Sequence, residues 1–157
     1  MSHTLAAKVL DAARARGVMI ATAESCTGGL IAGALTAVPG SSDVVDRGFV
    51  TYSNAAKTGM LGVGADTLAT HGAVSEAVAA EMAAGALARA QAGIAVAVTG
   101  IAGPGGSGLK PEGRVCFGLA DGRGVQVETV DFGAIGRDEV RALTVSHALA
   151  LLLAALA

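Results

Sequence analysis

A chain of 157 residues, 52% hydrophobic and 15% charged, is long enough for one buried core, too short for two ordinary domains and too apolar to stay disordered. A formal charge of −2 with no basic run argues against nucleic acid as the main partner, and aromatics at 3% leave Ala, Val, Leu and Ile to pack the interior. Two isolated cysteines, Cys26 and Cys116, make neither a disulfide framework nor a zinc set and fit a reducing cytoplasm.

In chain order, Met1-Ser2-His3 opens an amphipathic helix whose apolar positions Leu5, Val9, Leu10 and Ala13 recur at helical spacing, so it is not read as a signal peptide. Gly17 closes that helix at C′. Val18–Ala23 is short and apolar, as expected of a strand buried on both faces. The next helix is expected from about Cys26 to Ala37, ending before the breaker cluster Pro39-Gly40-Ser41-Ser42. Gly48–Tyr52 reads as a strand, and Ser53-Asn54 caps a short helix carrying Lys57 and Met60-Leu61. Asp66–His71 is a further helical turn. Ser75 is the expected N-cap of a long helix, Glu76–Gln91, with Val78, Met82 and Leu87 on its buried stripe.

Gly93–Thr99 is a second buried strand running into glycines. Arg114–Ala120 and Val125–Phe132, joined by Asp121-Gly122-Arg123-Gly124, form a hairpin. Arg137–Leu156 is the last helix; its apolar end, Ala148–Ala157, is too short to span a bilayer, and no membrane partner is expected. Helices alternating with buried strands, then a late hairpin, predict an α/β layered domain with a mixed sheet over residues 1–157. Ligands bind such sheets beyond the carboxyl ends of the strands, which directs attention to the turns after Ala23 and Thr99.

At the first of these turns, Thr22–Gly29 reads T-A-E-S-C-T-G-G. Ser25 and Thr27 bring hydroxyls, Gly28 and Gly29 permit close approach, and the following helix is expected to turn its free N–H groups toward the same spot. Metal chemistry lacks ligand spacing, since His3, His71 and His147 are scattered; neither glycine loop has the ending of a phosphate-binding Walker loop. A serine can be activated by a lysine whose pKa is lowered. Of the three lysines, Lys57 follows a predicted strand end closely, with Tyr52 placed to hydrogen-bond between the pair. Two alternatives stay open at this point: Cys26, a thiol at an expected helix N-terminus, as nucleophile, and His71 as the base of a serine triad.

The strings A-E-S-C-T-G-G (23–29), R-G-F-V-T-Y-S-N-A-A-K (47–57), H-G-A-V-S-E (71–76), T-G-I-A-G-P-G-G-S (99–107) and K-P-E-G-R-V (110–115) resemble the CinA C-terminal domain family over nearly the whole chain. Its standalone members are nicotinamide-nucleotide amidases. The molybdopterin-binding-like domain of full-length CinA proteins has no counterpart here, so the resemblance implies the standalone form.

It also implies a single three-layer α/β/α domain with a mixed, mostly parallel sheet, in which nicotinamide mononucleotide is hydrolysed without cofactor or metal. On this resemblance Ser25 is the nucleophile, Lys57 the base and Tyr52 a relay. Backbone N–H groups around Cys26 and Thr27 would hold the oxyanion, and Gly28 would lie against the substrate. Thr99, Gly100 and Gly103 would face the substrate, and Arg137 or Arg141 would meet its phosphate. The implied setting is pyridine nucleotide salvage in the cytoplasm, with a small-molecule substrate and a homo-oligomer, a dimer at its simplest. The rival expectation is a competence-associated module that binds nucleotides through the same loops without turnover.

Overall fold

A computed structural model of the chain describes residues 2–157; Met1, where the first helix was expected to open, lies outside the described residues. The elements run α1 (Ser2–Arg16), β1 (Ile20–Glu24), α2 (Leu30–Thr36), β2 (Val45–Val50), α3 (Asn54–Leu61), α4 (Ala65–His71), α5 (Glu76–Arg89), β3 (Ile94–Gly100), β4 (Arg114–Asp121), β5 (Gly124–Asp131) and α6 (Arg137–Leu156). The five strands form one sheet in the order β2-β1-β3-β4-β5; β1 pairs parallel with β2 and β3, and the other two pairings are antiparallel.

Strand alternation divides the interior into two unequal halves. On one face Ile20, Val96, Val98, Val115, Phe117 and Leu119 meet the large side chains of α1, α2 and α6, among them Leu10, Leu35, Leu149 and Leu152. On the other face Ala21, Ala23, Ala95, Ala97 and Ala120 lie beneath Val78, Met82, Ala83 and Ala86 of α5. This is the expected three-layer domain, with the absent aromatic volume replaced by a helix drawn down onto an alanine surface. Although α6 is long and apolar enough to cross a membrane by composition, its stripe of Val140, Val145, Ala148, Leu149 and Leu152 is buried in the core.

Close approach requires glycine at Gly85, where a Cβ would stand 1.9 Å from the Leu61 carbonyl oxygen at the end of α3. Gly85→Ala should therefore lower stability by about 1–3 kcal/mol, against a helix-propensity gain of about 1 kcal/mol. Urea unfolding reads this directly, and a variant as stable as the parent would show that α3 and α5 do not touch there.

Three differences from the expected boundaries bear on the site. The first strand begins at Ile20, after Val18-Met19, and extends through Glu24. The second strand is Val45–Val50, earlier than the expected Gly48–Tyr52. Gly48 lies inside it, where a Cβ would meet Thr22 Oγ1 at 2.6 Å and Ala32 Cβ at 3.2 Å, so this glycine serves close packing and breaks nothing. The second helix starts at Leu30 and not near Cys26, because Gly28 (φ 59°) and Gly29 (φ 108°) both take left-handed conformations that a helix cannot include.

Candidate active site

Register sets the site. Glu24 is level with Val50 of β2 and Val98 of β3, so Ser25, Thr51 and Thr99 follow side by side at one edge of the sheet. Ser53 caps α3 by accepting from the Ala56 N–H at 3.0 Å, and one turn into that helix Lys57 points back over the strand ends. Its side chain is only 1% exposed. Lys57 Nζ lies 3.0 Å from Ser25 Oγ and 3.0 Å from the Thr51 carbonyl oxygen. Desolvation lowers the pKa of this amine below its ordinary 10.5, opposed by a smaller contribution from Cys26. The geometry and the shift agree: an amine that gives up its proton more readily than a solvated lysine does, touching a serine hydroxyl.

Above the pair opens a cavity of about 200 Å³ lined by Ser25, Cys26, Tyr52, Lys57, Ala73, Val74, Thr99, Gly100, Ala102 and Arg137. Ser25 is 8% exposed at its floor, and Tyr52 is 61% exposed at its mouth. Arg137 bridges that mouth, donating to the Tyr52 hydroxyl at 2.9 Å and to the Gly103 carbonyl at 2.7 Å. Gly103 thus reaches the site through its carbonyl, while Gly100 and Ala102 supply wall. Thr99 lines the wall with its hydroxyl already donated to the Ala73 carbonyl at 2.8 Å.

The other expected residues stand behind the turn. Thr27 is fully buried, and its hydroxyl donates to Glu24 Oε1 instead of facing the cavity. Gly28 donates its N–H to the Ser25 carbonyl at 3.0 Å. Arg141, expected as an alternative phosphate contact, directs Nε to the Cys26 carbonyl at 3.1 Å and Nη2 to the Thr27 carbonyl at 3.3 Å. It is absent from the cavity wall.

The free helix N-terminus expected after Ser25 is also corrected. Ile31 and Ala32 donate their N–H groups to the carboxylate of Glu24, at 2.9 and 3.0 Å, so a buried side chain already occupies the anion position of α2. Sequence reading gave Glu24 no role. An acidic residue ending an apolar strand just before a helix was the available signal. Lys110 was missed for a different reason: its ammonium holds the carbonyls of His71, at 2.6 Å, and Val74, at 2.5 Å, more than 30 residues away. It thereby fixes the loop that presents Ala73 and Val74 to the cavity.

Cys26 and His71 weaken as alternatives. Burial pushes the Cys26 thiol up to about 11, with the nearby Glu24 charge adding to the shift, so few thiolates exist near neutrality. His71 ends α4, is exposed, and does not line the cavity. Cys26→Ala should accordingly keep at least about a third of the activity, since the backbone N–H survives and the change removes a single buried sulfur atom, a small loss of packing beside the larger core truncations. A dead Cys26→Ala alongside an active Ser25→Ala would exchange the nucleophile. Among the described residues, no three His, Cys, Asp or Glu side chains gather as a metal site.

The family model of the CinA C-terminal domain matches residues 2–156. The chain is 51% identical over 146 residues to "Nicotinamide-nucleotide amidohydrolase PncC" of Escherichia coli (strain K12), covering 92% of this chain and 88% of that protein. It is 62% identical over 120 residues to a "CinA-like protein" of Chlorobium phaeobacteroides (strain BS1); that match covers 74% of this chain but only 29% of the much longer relative. The crystal structure of the competence/damage inducible protein CihA from Agrobacterium tumefaciens superposes with a TM-score of 0.94 at 55% identity, covering 98% of this chain and 94% of that one.

Proposed function

This chain belongs to the CinA C-terminal domain family, and from that premise we propose that it is a nicotinamide-nucleotide amidohydrolase using Ser25 as nucleophile and Lys57 as base. The observation that carries the mechanism is the buried amine 3.0 Å from the serine hydroxyl. A neutral Lys57 donates one N–H to the Thr51 carbonyl and accepts the Ser25 proton on its lone pair. Ser25 Oγ bonds to the carboxamide carbon, and the carbonyl π pair moves onto oxygen. As the C–N bond breaks, the new ammonium of Lys57 returns its proton to the departing nitrogen, which leaves as ammonia. Water then attacks the ester, giving its proton to Lys57; that proton goes back to Ser25 Oγ as the carboxylic acid is released.

The cavity suits a small molecule with one flat end against Ser25 and an anion at the mouth, where Arg137 stands. With nicotinamide mononucleotide as substrate, Tyr52 orients or relays beside the pair, Arg137 meets the phosphate, and nicotinic acid mononucleotide enters pyridine nucleotide salvage. The rival, a module that binds without turnover, has no use for an amine kept this dry beside a hydroxyl.

Purified protein incubated with nicotinamide mononucleotide should release ammonia and the acid in equal amounts, with or without a strong chelator. Arg137→Ala should raise KM for the mononucleotide by about 10- to 100-fold, the worth of one charge-assisted hydrogen bond, and leave KM for the nucleoside nearly unchanged. Binding without ammonia would favour the non-catalytic reading, and equal losses on both substrates would remove Arg137 from the phosphate.

A further inference from the structure

Hydrolysis of nicotinamide mononucleotide at Ser25 brings a positively charged ring into the cavity, because the carboxamide that meets the serine is carried on the pyridinium itself. A cation taken out of water needs a partner. No Asp or Glu lines the cavity, while Lys57 and Arg137 both do. Glu24, the carboxylate next to Ser25 in sequence, is 1% exposed and already accepts from Thr27, Ile31 and Ala32.

Tyr52 is the sole aromatic side chain in that wall, and its ring is held at both ends. Its backbone lies between Thr51, whose carbonyl accepts from Lys57 Nζ at 3.0 Å, and Ser53, which caps α3. Its hydroxyl accepts from Arg137 Nη2 at 2.9 Å, and Nη1 of the same guanidinium is fixed on the Gly103 carbonyl at 2.7 Å. Pinned at root and tip, the ring cannot swing out of the mouth without breaking the Arg137 contact. It lines the cavity and is 61% exposed, so one part meets the contents and the rest meets solvent.

The hydroxyl is poorly placed to pass protons, which requires a hydrogen bond of about 2.6–3.2 Å to the reacting pair. Its partner is Arg137, whereas Lys57 Nζ is engaged by Ser25 Oγ and the Thr51 carbonyl. The ring has a different use. An aromatic face carries negative potential and attracts a cation lying within about 6 Å of its centroid, and a flat cation can add offset stacking to that attraction.

We propose that Tyr52 determines specificity through its ring: the phenol face receives the pyridinium of the bound nucleotide, so the site selects N-substituted, positively charged pyridine carboxamides over neutral ones. The inference rests on the reading of nicotinamide mononucleotide as substrate and gives Tyr52 the orienting part, with no proton relay.

The test measures binding by calorimetry in the Ser25→Ala background, where the ligand is not consumed. One ligand is nicotinamide mononucleotide; the other is its 1,4-dihydro form, which keeps carboxamide, ribose and phosphate but lacks the ring charge. Adding Tyr52→Leu should weaken binding of the cationic ligand by about 5- to 30-fold and of the neutral one by less than about threefold. Adding Tyr52→Phe, which keeps the ring and drops the hydroxyl, should preserve most of the preference for the cation. The side chain is mostly exposed, so both substitutions should leave the melting temperature near that of the background.

Equal weakening of both ligands by Tyr52→Leu would overturn the inference and make the ring a plain apolar wall. A Tyr52→Phe as costly to the cation as Tyr52→Leu would overturn it in favour of the hydroxyl. With Ser25 present, a Tyr52→Phe enzyme that binds as before but loses about 100-fold in kcat would restore the relay. Failure of the Ser25→Ala background to bind nicotinamide mononucleotide at all would strike the substrate reading itself, whereas firm binding there that Tyr52→Leu does not weaken would strike this inference alone.

Discussion

Ser25→Ala should lose roughly 10⁴-fold or more in kcat, because removing the nucleophile of a concerted pair leaves only binding and the oxyanion donors. The serine is small, its hydroxyl contacts only Lys57 among the described side chains, and its backbone N–H still pairs with Val98 in the variant. The fold should therefore survive, with substrate affinity nearly unchanged. Acid quenching of the parent during turnover should capture the acyl ester, seen by mass spectrometry on the peptide carrying Ser25 and missing from the variant. Retention of more than a tenth of the activity in Ser25→Ala would sink the covalent mechanism.

Lys57 carries the second large effect, and it has opposite signs for activity and stability. Burial lowers the folded-state pKa below 10.5, so at intermediate pH the unfolded chain binds this proton more strongly than the folded one. Stability contributed by this group accordingly rises with pH between the folded value and 10.5, and below that window the buried charge is a net cost. Lys57→Met removes the charge and keeps most of the packing. It should abolish turnover, by about 10³-fold or more, while raising the melting temperature at neutral pH. Lys57→Arg keeps a charge that cannot act as a base and should be equally inactive. In the parent, kcat/KM should climb along one basic limb whose midpoint lies below 10.5. An active Lys57→Arg, or a Lys57→Met that unfolds sooner than the parent, would contradict this account.

What could be read from the sequence was local. The hairpin and α6 fall where their turn residues and periodicity put them, because D-G chemistry and a 20-residue apolar stripe specify themselves. The cap on Ser53 likewise placed Lys57 correctly on a helix. Less visible were decisions made between distant segments. Gly48 reads as the first residue of a strand, and its place inside β2 depends on how closely Thr22 and Ala32 approach it, while the start of α2 depends on backbone angles at Gly28 and Gly29 that composition only hints at. Arg137 and Arg141 look interchangeable in sequence, four residues apart on one helix face. The structure separates them, one at the cavity mouth and one under the turn, because the Ser25 turn comes between their tips.

The position of Tyr52 has a practical side. It is the single tyrosine of a chain that contains no tryptophan, and it stands at the cavity mouth with its hydroxyl on Arg137. Phenol fluorescence from this chain therefore arises from one ring at one place. The protein carries its own optical probe of the cavity entrance, so ligand arrival and departure can be timed by stopped-flow fluorescence on the unlabelled chain, without coupling to ammonia detection.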